Sequence, residues 1–107
     1  MLDQQGKYQL LKSLEKDPSL TQRQLSKELG VSLGKVNYCL QSLIKKSLVK
    51  VNNFKNNNNK IQYSYLLTSK GIEEKTKLTL EFLSVKAKEY DELKKEIERL
   101  STKSQNS

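Results

Sequence analysis

Two helical patterns separated by a very short turn constrain the fold of this chain more than any other feature. The first begins at Thr21, where the Thr21 hydroxyl and the Gln24 side chain form a capping box that satisfies free backbone N–H groups. It ends before Gly30, a residue type that readily adopts the left-handed conformation at a helix C-terminus. Ser32 then provides a new N-cap for the next helix. Because so few residues join them, the two helices must cross at a sharp angle.

The segments on either side predict a helix before this pair and a β-hairpin after it. Asp3 can cap a first helix that extends to about Glu15 and ends at Asp17-Pro18. From Leu48 onward the apolar period changes from helical to two, which is typical of strands. The apolar residues that share a strand face are Val49 and Val51 in the first strand, and Ile61, Tyr63, Tyr65 and Leu67 in the second.

This order of elements is the layout of a winged helix-turn-helix domain. We therefore predict a mainly α-helical fold with a small β-hairpin and a long C-terminal helix that mediates dimerisation. Residues 1–70 are assigned to the winged helix-turn-helix domain and residues 71–100 to the long helix, with Thr68 as its N-cap. Residues 101–107 are polar and are predicted to form a disordered tail.

The positive charge is concentrated in the middle of the chain. Between positions 21 and 70 lie nine basic residues and one acidic residue, Glu28, and this segment accounts for the entire net charge of +8. A basic block between neutral flanks is typical of a surface that binds a polyanion. The alternative is a basic surface that serves only solubility.

The third helix presents a polar face without negative charge. If Val36 points to the core, a rotation of about 100° per residue also places Leu40 and Leu43 inward, with Cys39 beside them. Asn and Gln can pair with adenine edges, Tyr offers a ring and a hydroxyl, and Gly permits close approach of the backbone to DNA. A solvated polar face is the alternative. The residues of this helix assigned to DNA binding are Ser32, Gly34, Lys35, Asn37, Tyr38, Gln41, Ser42 and Lys45.

Basic residues on both sides of this helix are assigned to the DNA backbone. Arg23 and Lys27 lie four residues apart on the second helix, and Lys55 and Lys60 flank the asparagine-rich tip of the hairpin. The asparagines between them either contact a ligand or form a low-complexity linker.

The last helix carries a heptad pattern. Leu83, Tyr90 and Ile97 fall seven residues apart, and Leu93 and Leu100 follow the last two by three, with Lys86 as the polar d position. Glu89 at a g position and Lys94 at the following e position can attract each other across a parallel two-stranded coil. We predict homodimerisation through the five apolar residues of this seam; the alternative is that the stripe packs on its own domain.

The composition argues against an enzyme. The chain has no histidine and a single cysteine, Cys39, so it cannot assemble a Cys/His zinc site, a His-assisted nucleophile or an intramolecular disulfide. We predict no catalytic activity, no metal and no cofactor. Cys39 is assigned to the buried flank of the third helix, with a redox-sensing thiol as the alternative.

No apolar run approaches the roughly 18 residues of a membrane span, and we predict a cytoplasmic protein without membrane contact.

The chain resembles the MarR-type winged helix-turn-helix transcriptional regulators in the segment QRQLSKELGVSLGKVNYCLQSLIKKSLVKV and, after the hairpin, in YLLTSKGIEEK. The resemblance covers roughly residues 8–78 and is nearest to the short MarR-like proteins associated with exopolysaccharide gene clusters. It implies a dimer in which the helix from Ser32 to Lys45 enters the major groove while the hairpin, or wing, touches the minor groove or the backbone.

Two features depart from that family. The wing tip has lysine and asparagine where MarR wings typically carry Asp and Arg, and this chain has one long C-terminal helix where larger MarR proteins dimerise through helices from both ends and bind phenolic ligands between them. The predicted function is therefore sequence-specific binding of double-stranded DNA by a dimeric regulator, with no identifiable small-molecule effector. The alternatives are a winged-helix module that binds another protein and one that binds RNA.

Overall fold

The computed structural model describes residues 3–55 and 57–105. The predicted helices begin at the predicted caps: the Asp3 carboxylate accepts a hydrogen bond from Gly6 N at 2.8 Å, and Thr21 and Gln24 form the capping box. Gly30 adopts the left-handed conformation, with φ 66°. The elements are α1 (Gln4–Lys16), α2 (Gln22–Leu29), α3 (Leu33–Lys45), β1 (Val49–Lys55), β2 (Ile61–Leu67) and α4 (Ser69–Gln105).

The core is formed by the inward faces of α1, α2 and α3. Apolar residues three and four apart place one stripe of each helix inward, and burying such stripes is the main source of stability in a domain this small. The base of the hairpin and the start of α4 complete the core. Its fully buried side chains are Leu10, Leu11, Leu14, Leu25, Val36, Leu40, Val49 and Leu78.

The hairpin is antiparallel, and only its base is buried. Val49 pairs with Leu67 and Val51 with Tyr65. Val49 and Tyr65 are 2% and 7% exposed, whereas the apolar residues nearer the tip are open to solvent. The alternation is as predicted, but the strands extend past the helices, so their distal halves have no core to face. Asn59 takes the left-handed conformation at the tip, and Asn56 lies outside the described residues.

Helix α4 begins against the domain and then leaves it. Thr68 caps it, since its hydroxyl accepts a hydrogen bond from Gly71 N at 3.0 Å. Leu78 is buried, and the ring of Phe82 meets that of Tyr8 edge-on with centroids 5.3 Å apart. All residues from 83 to 103 are exposed.

The structure corrects the predicted tail. Residues 101–105 continue α4 and are not disordered, while 106 and 107 lie outside the described residues. This stretch contains neither Gly nor Pro to end a helix, and the Thr102 hydroxyl donates to Glu98 O at 3.0 Å. In the described part of the chain no helix is long and apolar enough to cross a membrane.

Candidate DNA interface

Helix α3 turns the predicted polar face outward. Val36 and Leu40 are fully buried, and Cys39, a free thiol, is 6% exposed. Tyr38 is 62% exposed on the opposite side. Of the other residues assigned to DNA binding on this helix, Ser42 is half-buried and the rest are exposed, namely Ser32, Gly34, Lys35, Asn37, Gln41 and Lys45. The predicted helical phase is therefore correct.

The tight turn before α3 is held by short-range hydrogen bonds. Val31 N donates to Ser26 O at 3.2 Å, and the Ser26 hydroxyl donates back to Val31 O. The Ser32 hydroxyl accepts from Lys35 N at 3.1 Å. Ser32 thus orients the first turn of α3, where the remaining free N–H groups and the positive end of the helix dipole favour an anion.

A chain of hydrogen bonds joins α3 to α2 and the wing. Asn37 Nδ2 donates to Gln22 Oε1 at 3.2 Å, and Gln22 Nε2 donates to the Tyr65 hydroxyl at 3.0 Å. Tyr65 N in turn donates to Pro18 O at 3.0 Å. The wing and the outward face of α3 are therefore held in one arrangement. The sequence analysis did not assign Gln22 to the site; its position three residues before buried Leu25 is a signal that it lies near the same side of α2.

A groove of about 800 Å³ lies between the N-terminus of α2 and the wing, with Gln41 of α3 in its wall. Its lining combines amide side chains, including Gln22 and Gln24, with apolar and aromatic residues of the wing. Asp17 also lines this groove. Hydrogen bonds from the Ser19 hydroxyl and the Ser19 backbone N–H lower the pKa of the Asp17 carboxyl. Like any aspartate with an ordinary or lowered pKa, it is negative at neutral pH.

The basic residues predicted to flank the groove-reading face are exposed. Arg23 and Lys27 lie on α2, and Lys55 and Lys60 lie at the two ends of the wing tip. Within residues 3–55 and 57–105, Arg23, Lys27 and Lys55 take part in none of the ion pairs, which connect α1 to α4 or lie within α4. Their charge is therefore not offset by a carboxylate in direct contact.

The predicted seam of α4 is uncovered. Its five apolar residues are between 56% and 66% exposed. The alternative that the stripe packs on its own domain is not what the structure shows, because α4 meets the domain only through its first turns. The five exposed seam residues are Leu83, Tyr90, Leu93, Ile97 and Leu100.

Comparisons with known proteins agree with this architecture. Residues 7–50, from α1 to the start of β1, match the family model described as winged helix-turn-helix DNA-binding. A comparison with curated protein sequences finds no match.

Several solved structures share the fold. The MepR–DNA complex of Staphylococcus aureus aligns with a TM-score of 0.61 and 23% identity over 80% of this chain and 60% of that one. Streptococcus pneumoniae FabT in complex with DNA aligns with a TM-score of 0.57 and 25% identity, covering 78% and 56% of the two chains. Staphylococcus aureus MarR in complex with salicylate and kanamycin aligns with a TM-score of 0.60 and 21% identity, covering 77% of this chain and 53% of that one.

The chain has the MarR-type winged-helix fold. The predicted fold class and the predicted resemblance to MarR-type regulators are thus confirmed at the level of architecture. The nearer resemblance to exopolysaccharide-associated proteins stays a prediction. This winged-helix chain spans less than two thirds of the length of each of the three proteins described above.

Proposed function

We propose that this winged-helix protein is a dimeric transcriptional regulator that binds specific sites in double-stranded DNA. The observation that carries the proposal is the outward face of α3, which is polar, free of acidic residues and bordered by lysines. Such a face suits the floor of the major groove, while the surrounding cations suit the phosphates. The DNA complexes of MepR and FabT, which share the fold, support this use of it.

In this proposal each part of the chain has one task. Residues 1–70 bind DNA and residues 71–100 join two copies. Asn37, Tyr38 and Gln41 contact base edges; Gly34 and Ser42 permit or support that approach. The residues that contact phosphates are Ser32, Lys35, Lys45, Arg23, Lys27, Lys55 and Lys60. The protein acts in the cytoplasm by binding rather than by catalysis.

A salt titration of duplex binding tests the proposal. If six or more phosphates are neutralised, affinity in a gel-shift or anisotropy assay should fall by about 10³-fold or more between about 50 and 200 mM salt. Replacing one phosphate contact, as in Lys35→Ala, should reduce the salt slope by about one. Lys88→Ala is the matched control, since Lys88 is an exposed lysine of the charge-balanced segment 71–107, and it should leave the slope unchanged.

Three results would contradict the proposal. Affinity for duplex that does not change with salt would exclude phosphate neutralisation. Tighter binding to structured RNA than to duplex DNA would favour the RNA-binding alternative. Capture of a protein partner by a chain with no affinity for duplex would favour the protein-binding module.

Selection of bound duplexes from a random pool would provide the operator, and half-sites spaced by about 10 base pairs would reveal a two-fold dimer on one face of the DNA.

A further inference from the structure

The wing, residues 49–67, carries an exposed apolar strip. Val51, Ile61 and Tyr63 share one face of the hairpin, are 39%, 58% and 51% exposed, and line the groove next to Gln41. Phe54 also borders the groove, but it pairs with Gln62 and lies on the other face. Large apolar side chains that are contiguous and open to water are uncommon on a folded monomer unless the surface binds something. The exposure of this strip therefore indicates that it binds a partner.

Charge on the wing indicates the chemistry of that partner. Lys55 is exposed on β1 and lies directly opposite Ile61 in the hairpin register, and exposed Lys60 precedes Ile61 at the wing tip. Apolar contact surface edged by lysines complements a polyanion that also exposes carbon. The grooves of double-stranded DNA have this character, since their rims are phosphates and their walls expose deoxyribose carbons and thymine methyls.

The strip is also fixed relative to the outward face of α3. The Tyr65 hydroxyl is bonded through Gln22 to Asn37, and Tyr65 N is bonded to Pro18 O. When α3 lies in a groove of the duplex, the wing has little freedom to avoid the DNA beside it.

We propose that Ile61 and Tyr63 contact deoxyribose and thymine-methyl carbons of the bound duplex, so that the wing contributes affinity by apolar contact as well as by charge. This inference rests on the proposed function. It assigns the wing a role that does not depend on arginine in the minor groove.

The salt dependence of binding distinguishes apolar from ionic contact. Ile61→Ala and Tyr63→Ala should each weaken binding to the selected operator by about tenfold, since each removes buried apolar surface from the complex. The loss should be the same at every salt concentration, because no counterion is released by these side chains. Lys55→Ala should instead reduce the salt slope by about one. Val85→Ala, an equally exposed apolar residue on α4 outside the heptad seam, is the matched control.

A conservative variant and a test of folding separate loss of the DNA contact from loss of structure. Tyr63→Phe should restore most of the affinity lost in Tyr63→Ala, because the ring makes the contact. Circular dichroism melting of each variant establishes that the loss does not come from unfolding.

Four outcomes overturn the inference. The first is unchanged affinity in both alanine variants, and the second is a change in their salt slopes. The third is Tyr63→Phe binding as weakly as Tyr63→Ala. The fourth is an altered oligomeric state with unaltered DNA affinity, which would make the strip a contact between copies of this chain. If these results are obtained while the unaltered protein still binds duplex, only this inference fails. If the unaltered protein does not bind duplex, the proposed function fails with it.

Discussion

Asn37 and Tyr38 are neighbours on α3, yet the fold restrains them differently. The Asn37 amide is bonded to Gln22, whereas Tyr38 projects from the other flank of the face, where it borders a small cavity together with Lys7 and Ser42. A side chain held in one orientation before binding loses less conformational entropy when it contacts a base. We therefore group Gln22 with the residues proposed to read bases, although it lies on α2.

We expect Asn37→Ala and Gln22→Ala to have overlapping effects. Each should weaken binding to the selected operator by about 1–3 kcal/mol and binding to random duplex far less. The double variant should lose little more than either single variant, because both remove one hydrogen-bonded unit. Anisotropy titrations on both duplexes measure this, with exposed Gln9→Ala as the control. Full additivity would show that the two amides act independently.

Gly71 and Gly34, each in the first turn of a helix, differ in whether a side chain would fit. A Cβ at Gly71 would overlap the carbonyl oxygen of Leu48, a backbone atom that also accepts a hydrogen bond from Thr68 N at 3.0 Å. A Cβ at Gly34 would have no atom within 4 Å. The first glycine serves packing of α4 on the start of the wing, whereas the second faces the proposed DNA surface.

We expect Gly71→Ala to lower the free energy of unfolding by about 2–4 kcal/mol through overpacking against backbone. Gly34→Ala should raise it by up to about 1 kcal/mol, since alanine favours helix over glycine, while weakening DNA binding. Urea denaturation and operator titration of both variants provide the measurements. A destabilised Gly34→Ala, or a Gly71→Ala as stable as the parent, would contradict this reading of the two sites.

At the scale of elements, α4 consists of two functional parts. Its first turns are part of the domain, and the remainder carries the seam into solvent. Ion pairs near this seam, such as Lys86 with Glu89 at 3.5 Å, lie within the helix and contribute little on an exposed surface. A helix of this kind obtains its stability from apolar burial, which only a second copy supplies in the proposed dimer.

We expect Ile97→Lys to dissociate the dimer. Burying one large apolar side chain contributes about 1.5–3 kcal/mol, and both copies lose it, so the dimer dissociation constant should rise by at least about 100-fold. Sedimentation velocity across a concentration series measures the change. Val85→Lys, which adds the same charge outside the seam, should leave the dimer intact. If Ile97→Lys remains as dimeric as the parent, the two copies meet elsewhere.

At the scale of the whole molecule, charged contacts help attach α4 to α1. Lys7 Nζ bonds Glu74 Oε1 at 3.1 Å, and Lys75 Nζ bonds Glu15 Oε1 at 2.6 Å. The hydrogen bond from Lys7 is the main reason why the pKa of Glu74 is lowered, and partial burial opposes it. The ionised Glu74 carboxylate therefore stabilises the folded state. That contribution is complete above the ordinary pKa of 4.5 and is lost as the pH falls through the lowered value.

We expect the unfolding temperature to fall as the pH drops from neutral to about 3, in part through Glu74. Glu74→Gln should be less stable than the parent at neutral pH, and this difference should shrink in acid, where the parent carboxylate is protonated. Thermal melts across the pH range measure it, with exposed Glu73→Gln as the control. A constant difference between Glu74→Gln and the parent at all pH values would show that the charge of Glu74 does not contribute.

Local features of this protein were determined by sequence alone. The caps at Asp3, Thr21 and Ser32 and the left-handed Gly30 act within a few residues, so their hydrogen bonds need no knowledge of the rest of the fold. The inward phase of α3 follows from 3.6 residues per turn once Val36 is placed in the core. These facts were sufficient to predict the fold class and the outward face of α3.

Only the tertiary structure decided how these pieces meet. The Asn37–Gln22–Tyr65 connection joins residues 15 and 43 positions apart, and the ion pairs that hold α4 join residues 60 and 67 positions apart. Alternation in the hairpin predicted that Ile61 and Tyr63 share a face with Tyr65, but not that the strands outrun the core and leave those two exposed. Periodicity specifies which side of an element is apolar. The crossing angles and lengths of several elements together decide whether that side is covered.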